Sequence, residues 1–309
     1  MDISGILLLD KEFGLTSFEA VSRVKKILGC KKVGHAGTLD PYATGLLIVT
    51  AGKATKIAGY LSQRDKTYLA RIRLGQCRDT YDRFGRITAE SDKMVDEHLT
   101  RAALKEFKGD FRQIIPPYSA ARFQGERLYE LARKGLKTPE RYKNVKIYGI
   151  ELLEFIYPYV MLEIRCSSGT YVRSLAHQLG EKLGCGAHLY SLVRTSIGAC
   201  NLEGALTLLQ LEALIRLGLF DEYLISMESA LKIPALIVID SKIGGIKNGR
   251  EVLPEDIFVD EIKFEKGELV GLMDSSGNFL AIGRACVSSG EIFDPAQGRR
   301  KIFDYERVF

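Results

Sequence analysis

Gly34-His35-Ala36-Gly37-Thr38-Leu39-Asp40-Pro41-Tyr42-Ala43-Thr44-Gly45 is the stretch that decides how the chain folds. It holds three glycines, one proline and a single carboxylate, and it runs straight into the apolar Leu46-Leu47-Ile48-Val49. That composition predicts a shaped loop feeding a buried strand. Pro41 restricts the residue before it to extended or turn geometry, so Asp40 is presented to its surroundings rather than left mobile. An Asp-Pro pair alone marks only an Asx turn; within this whole string Asp40 becomes a candidate for chemistry.

Upstream, Ile6 to Leu9 reads as a short buried strand, and Thr16-Ser17-Phe18-Glu19 has the form of a capping box. A helix is predicted from there, with Phe18, Val21, Val24 and Ile27 recurring every three residues and Gly29 placed to stop it. Downstream, Tyr68, Ala70, Ile72 and Leu74 alternate with Leu69, Arg71 and Arg73, as Val160 to Cys166 alternate later, which is the period of a strand with one wet face. Ser167-Ser168-Gly169-Thr170 is turn chemistry, and helical spacing follows from Val172 to a stop at Gly184. Further helices are predicted at 99–107, 128–133 and 208–217. Strands and helices without regular βαβ alternation predict an α+β fold with a mixed, mainly antiparallel sheet. After Ile233 short apolar runs separated by polar turns predict a small β domain.

The 309 residues are 46% hydrophobic and 27% charged, the balance of a globular protein, and a chain of this length divides readily into two domains. No secretory leader or membrane-spanning run is expected, and six scattered cysteines without a C-x-x-C pair suggest reduced thiols in the cytoplasm. The four histidines show no metal-ligand spacing, so no metal is expected. Ala51-Gly52-Lys53-Ala54 fails as a phosphate loop because Ser/Thr does not follow the lysine. The net charge is +5, but residues 1–232 carry +8 (34 basic, 26 acidic) and residues 233–309 carry −3 (10 basic, 13 acidic). Basic stretches at 20–39 and 101–146 could follow a phosphate backbone, although a solvated helix face is the commoner origin of any single charge run.

The glycine-rich string resembles the signature G-H-x-G-T-L-D-P-x-A-T-G of the TruB-type tRNA pseudouridine-55 synthases. The resemblance continues in family order through Leu9-Asp10-Lys11, Lys66-Thr67-Tyr68, Asp79-Thr80-Tyr81-Asp82, Pro116-Pro117-Tyr118-Ser119-Ala120, Gly125-Glu126-Arg127-Leu128-Tyr129, Ser168-Gly169-Thr170-Tyr171-Val172-Arg173 and Gly184-Cys185-Gly186-Ala187-His188. It implies a synthase catalytic domain over residues 1–232 with a central cleft, and it extends more weakly to a PUA-type RNA-binding β-barrel over 233–309. It implies isomerisation of the T-loop uridine of tRNA, with tRNA as partner, no membrane, no required protein partner, a monomer and no cofactor.

By this resemblance Asp40 is the catalytic carboxylate, acting either on the sugar C1′ or on the 2′ proton. A carboxylate in an apolar pocket is pushed toward protonation by desolvation and needs a cation; the resemblance assigns this to Arg173. Tyr68 would stack on the uracil and take the C5 proton. Tyr171 and Leu192 would line the pocket, and His35 would contact the substrate where the target base has been flipped out. Lys11 and Arg122 are expected to contact phosphates, and Asp79 and Asp82 to shape a loop beside the site. Two alternatives remain: an RNA-binding or tRNA-folding protein on a synthase scaffold, and a related synthase with a different RNA target.

Overall fold

The structure, a computed structural model, describes residues 3–119, 121–136, 140–258, 262–294 and 300–309. Nine strands form the main sheet. Seven follow the order β1 (Gly5–Lys11), β3 (Thr44–Ala51), β12 (Ala187–Ile197), β4 (Lys66–Leu74), β11 (Tyr159–Cys166), β10 (Tyr142–Ile156), β7 (Gly109–Ile114). The others, β2 (Val33–Ala36) and β13 (Cys200–Asn201), pair with β3 and β12. Every pairing in this sheet is antiparallel except β3 with β12, which is parallel and joins Thr44 to Val193 and Gly45 to Arg194. Two short ribbons stand apart, β5 (Gln76–Arg78) with β6 (Ile87–Glu90) and β8 (Arg122–Phe123) with β9 (Glu126–Arg127).

The continuous apolar runs of β1 and β3 are explained by burial on both faces. Leu7, Leu9, Leu47 and Val49 pack with α1 (Ser17–Leu28) and α6 (Leu208–Leu217), whereas Ile6, Leu8, Leu46 and Ile48 pack with α2 (Ala58–Ser62), α7 (Met227–Leu231) and residues of the C-terminal segment. The alternating strands β4 and β11 instead bury Tyr68, Ala70, Ile72, Leu162 and Ile164 in a core shared with α3 (Glu97–Lys105) and α5 (Val172–Leu183). A short α4 (Leu128–Arg133) follows the β8–β9 ribbon.

Thr16 caps α1 as expected: its side chain accepts from the Glu19 N–H, the Glu19 carboxylate accepts from the Thr16 N–H, and Gly29 ends the helix at φ 63°. The expected apolar face is corrected. Ser17, Ala20, Val21, Val24 and Leu28 are buried, while Phe18 is 78% exposed. A repeat of three residues turns 300° and drifts around a helix of 3.6 residues per turn, so Phe18 falls outside the line shared by Val21 and Val24, while Ile27, partly buried, still packs against their core. Part of the predicted loop is also strand, since Gly34 to Ala36 pair with Thr50 to Ile48.

The C-terminal segment holds a five-stranded sheet, β15 (Ile257–Phe258), β14 (Ala235–Val238), β16 (Leu269–Met273), β17 (Phe279–Ala285), β18 (Phe303–Val308), around Leu236, Val270, Leu272, Leu280 and Phe303, with α8 (Ile243–Lys247) against it. Among the described residues β15 and β18 are the two ends of this strand order, and β15 is a two-residue strand paired with β14. Lys56 Nζ donates to the Val308 carbonyl at 2.6 Å and Tyr60 donates to Glu306 at 2.7 Å, tying β18 to the main sheet's 50–60 region. Among the described residues no helix is long and apolar enough to cross a membrane.

Candidate active site

The loop from Gly37 to Ala43 leaves β2 and turns back into β3, and its shape is fixed from below. Lys11, at the end of β1, is 1% exposed and its ammonium donates to the carbonyls of Glu12, Leu15 and Pro41. Its three N–H groups are all used within the fold, so Lys11, expected at a phosphate, here braces the Asp40-Pro41 turn from beneath. Burial lowers its pKa to about 8, opposed by the neighbouring Asp40. On the other side Arg194 donates to the carbonyls of Leu46, Gly37 and Thr38, and Ser17 bonds both the N–H and the carbonyl of Leu39.

Asp40 so held faces Arg173, the second residue of α5. Arg173 Nε lies 3.0 Å from Asp40 Oδ2 as an ion pair, and Nη2 donates a hydrogen bond to Oδ1 at 3.4 Å. The arginine side chain is 6% exposed and the aspartate 35%, so the cation is the fixed member and the carboxylate opens toward solvent. Arg173 also donates to the carbonyls of Thr80 and Tyr118, and its Nη1 lies 3.6 Å from Asp82 Oδ2. Burial works against its charge, but Asp40, Tyr42 and Asp82 together hold its pKa above the ordinary guanidinium value. Asp82 is itself buried, pushed up by desolvation and held by Thr80 Oγ1 at 2.8 Å and the Phe84 N–H at 3.0 Å.

These groups open on a cavity of about 290 Å³ walled by the 37–40 loop, the 169–173 turn, Ser62, Lys66, Tyr68, Leu192 and Arg194. Tyr68, Tyr171, Leu192, Asp40 and Arg173, all named from the sequence, are thus brought together from β4, the β11–α5 turn, β12 and the glycine-rich loop. Burial pushes the Tyr68 phenol up, with the Arg194 charge opposing. Two expected residues stand elsewhere. His35 lies on β2 outside the cavity wall, with Nδ1 buried and unpaired; burial and Arg194 lower its pKa, leaving the ring neutral at pH 7. Arg122 is exposed on the β8 ribbon and donates to the Gly125 carbonyl.

Arg194, Lys66 and the buried carboxylate of Asp82 were not assigned to the site from the sequence. Arg194 is one polar residue in an alternating strand, and nothing local marks it. Lys66 and Asp82 stand inside quoted motifs, but only the folded arrangement brings them to Arg173 and the cavity. Among the described residues no group of three His, Cys, Asp or Glu side chains could hold a metal.

The whole fold, mixed sheet and following small β unit together, is similar to that of solved structures. An H/ACA RNP bound to a substrate RNA containing 2′-deoxyuridine matches with TM-score 0.75 and 29% identity over 99% of this chain and 84% of that one. The archaeal box H/ACA sRNP Nop10-Cbf5 complex matches with TM-score 0.74 and 28% identity over 99% and 86%. The architecture is that of pseudouridine synthases carrying a PUA domain. Residues 25–172 match the N-terminal domain of TruB family pseudouridylate synthases, 173–232 the tRNA pseudouridylate synthase B C-terminal domain, and 234–304 the PUA domain. The tRNA pseudouridine synthase B of Dehalococcoides mccartyi strain BAV1 is 42% identical over 282 residues, 91% of this chain and 92% of that protein. That of Cupriavidus metallidurans is 39% identical over 289 residues, 92% of this chain and 91% of its own. The chain belongs to the TruB family of pseudouridylate synthases.

Proposed function

We propose that the chain isomerises a uridine of tRNA to pseudouridine, acting in the cytoplasm as a monomer on the T loop, without a cofactor or a required protein partner. A catalytic unit of residues 1–232 does the chemistry and a PUA unit of 233–309 adds RNA contacts. The observation that carries the reading is the fixed Arg173 guanidinium gripping a half-open Asp40 carboxylate at the wall of a nucleoside-sized cavity.

The reaction breaks the N1–C1′ bond, turns the base and joins C5 to C1′, so the only atom that changes place is the C5 proton. Asp40 begins the cleavage. Arg173 keeps it ionised despite the desolvation that a bound uracil brings. Tyr68 packs against the base, and its phenol, kept protonated by burial, relays the C5 proton once the new bond has formed: its oxygen takes that proton as its own hydroxyl proton passes to solvent, and N1, freed from the sugar, takes up a proton in exchange. Tyr171 and Leu192 complete the apolar wall. A paired base must leave its stack to reach such a cavity, and His35, neutral and close to the loop, is our choice for the contact at the vacated place.

The test is tritium release from tRNA transcript labelled at uridine C5. We expect release by the wild-type chain, none above background with Asp40→Asn, and none from a transcript whose T-loop target is cytidine. Asp40→Asn should bind tRNA within a few-fold of wild type, because phosphate contacts supply most of the affinity. Tight binding by the wild type with no release would return the case to an RNA-binding role or a different RNA target.

A further inference from the structure

Beside the catalytic loop lies a cluster that the reaction does not use. Arg83 follows Asp82 in the turn between β5 and β6, its backbone N–H anchored on the Leu189 carbonyl at 3.0 Å. Its guanidinium carbon stands 5.0 Å from the ring centroid of Phe84, 5.1 Å from Tyr190 and 5.3 Å from Phe13. Among the described residues this guanidinium has neither a hydrogen bond nor an ion pair, so three rings hold the cation in place while its N–H groups stay uncommitted. Phe13 and Phe84 are 54% and 59% exposed, with ring centroids 6.2 Å apart.

The cluster is joined to the site. The Phe84 ring lies 5.5 Å from that of Tyr42, whose hydroxyl donates to Asp40 Oδ2 at 3.4 Å. On the other side the Gly14 N–H, next to Phe13, donates to the Pro41 carbonyl at 2.9 Å. One buried ring therefore separates the exposed pair from the catalytic carboxylate. Apolar rings alone would suit many partners. An unpaired guanidinium fixed between them narrows the choice to a ligand with both a flat π-face and an anionic group, and a nucleotide has both.

We propose that Phe13, Arg83 and Phe84 form a subsite for an unpaired nucleotide of the substrate RNA neighbouring the target uridine, its base stacked on the exposed rings and its phosphate on Arg83. This rests on the tRNA reading above and adds a second point of grip next to the flipped base. That grip opposes restacking of the loop while the target occupies the cavity.

The experiment uses the full chain and unmodified tRNA transcript, measuring Kd by fluorescence anisotropy and kcat and KM by tritium release. Phe13→Leu/Phe84→Leu keeps apolar bulk and removes the π-faces. We expect its Kd and KM to rise about tenfold or more, with kcat little changed, since one stacked base is worth that much or more. Arg83→Gln should flatten the slope of log Kd against log salt by about one. Kd and KM within about twofold of wild type for the double variant would overturn the proposal, as would an unchanged salt slope for Arg83→Gln. Should the double variant unfold, as circular dichroism would show, Phe13→Leu alone carries the same test. A wild-type chain without tritium release would instead sink the tRNA reading, which keeps the two failures apart.

Discussion

Lys66 keeps an ammonium where a charge is disfavoured. It is 6% exposed, donates to the carbonyls of Ser62 and Arg64, and its pKa is lowered to about 8, first by burial and then by Arg194. In the unfolded chain the group titrates near 10.5, so between pH 8 and 10.5 the unfolded state holds more protons and this lysine's contribution to stability rises with pH. Comparing wild type with Lys66→Met isolates the effect. The wild-type urea midpoint should gain on the variant's between pH 8 and 10, and a constant difference would show that the lysine is not depressed. A kindred asymmetry sits in the Asp40–Arg173 pair. Arg173 has further carbonyl partners, whereas Asp40 has free space in front of it, so substrate can change the carboxylate's surroundings without releasing the cation.

Among elements, the loop and β3 meet at Gly45, whose φ of 94° lies in the left-handed region and whose added Cβ would come 2.5 Å from the Arg194 carbonyl oxygen. Gly45→Ala must therefore strain the backbone and push β12 away from β3. We expect a loss of about 2 kcal/mol or more in urea unfolding together with a fall in kcat, because Arg194 also bonds Gly37 and Thr38. An unchanged midpoint would show that the two strands can separate freely. Most elements were legible in the chain. Thr16 with Glu19, Gly29 and Gly184 are local signals, and the predicted helices at 128–133 and 208–217 match α4 and α6. Phe18 and Arg194 were not legible for the same reason: a side chain's burial depends on which distant strand or helix covers it. The loop aspartate announced itself through glycine and proline, but the bracing role of Lys11 needed the course of β1 under that loop.

For the whole molecule, charge separates along the chain, with +8 on residues 1–232 and −3 on 233–309. RNA attraction then belongs mainly to the larger part, and a protein neutralising several phosphates should lose roughly two orders of magnitude or more in tRNA affinity between about 50 and 200 mM salt. A flat titration would rule out the basic faces as the docking surface. The short strands of the second sheet were readable from the spacing of apolar runs after Ile233. The order of the strands in the second sheet was not, because which strands become neighbours is a property of the folded sheet and leaves no mark in a run of residues.

The parallel seam between β3 and β12 also sets a schedule. Gly45 meets Arg194 149 residues later in the chain, an interval of roughly ten to thirty seconds at ordinary translation speeds. Until the ribosome has delivered β12, the loop bearing Asp40 lacks the arginine that ties down Gly37, Thr38 and Leu46, and the cavity lacks the Leu192 wall. A nascent chain that stalls in this interval has made Asp40 but has no built pocket around it, so on the proposed reading an unfinished product cannot turn over the very adaptors that are being used to make it.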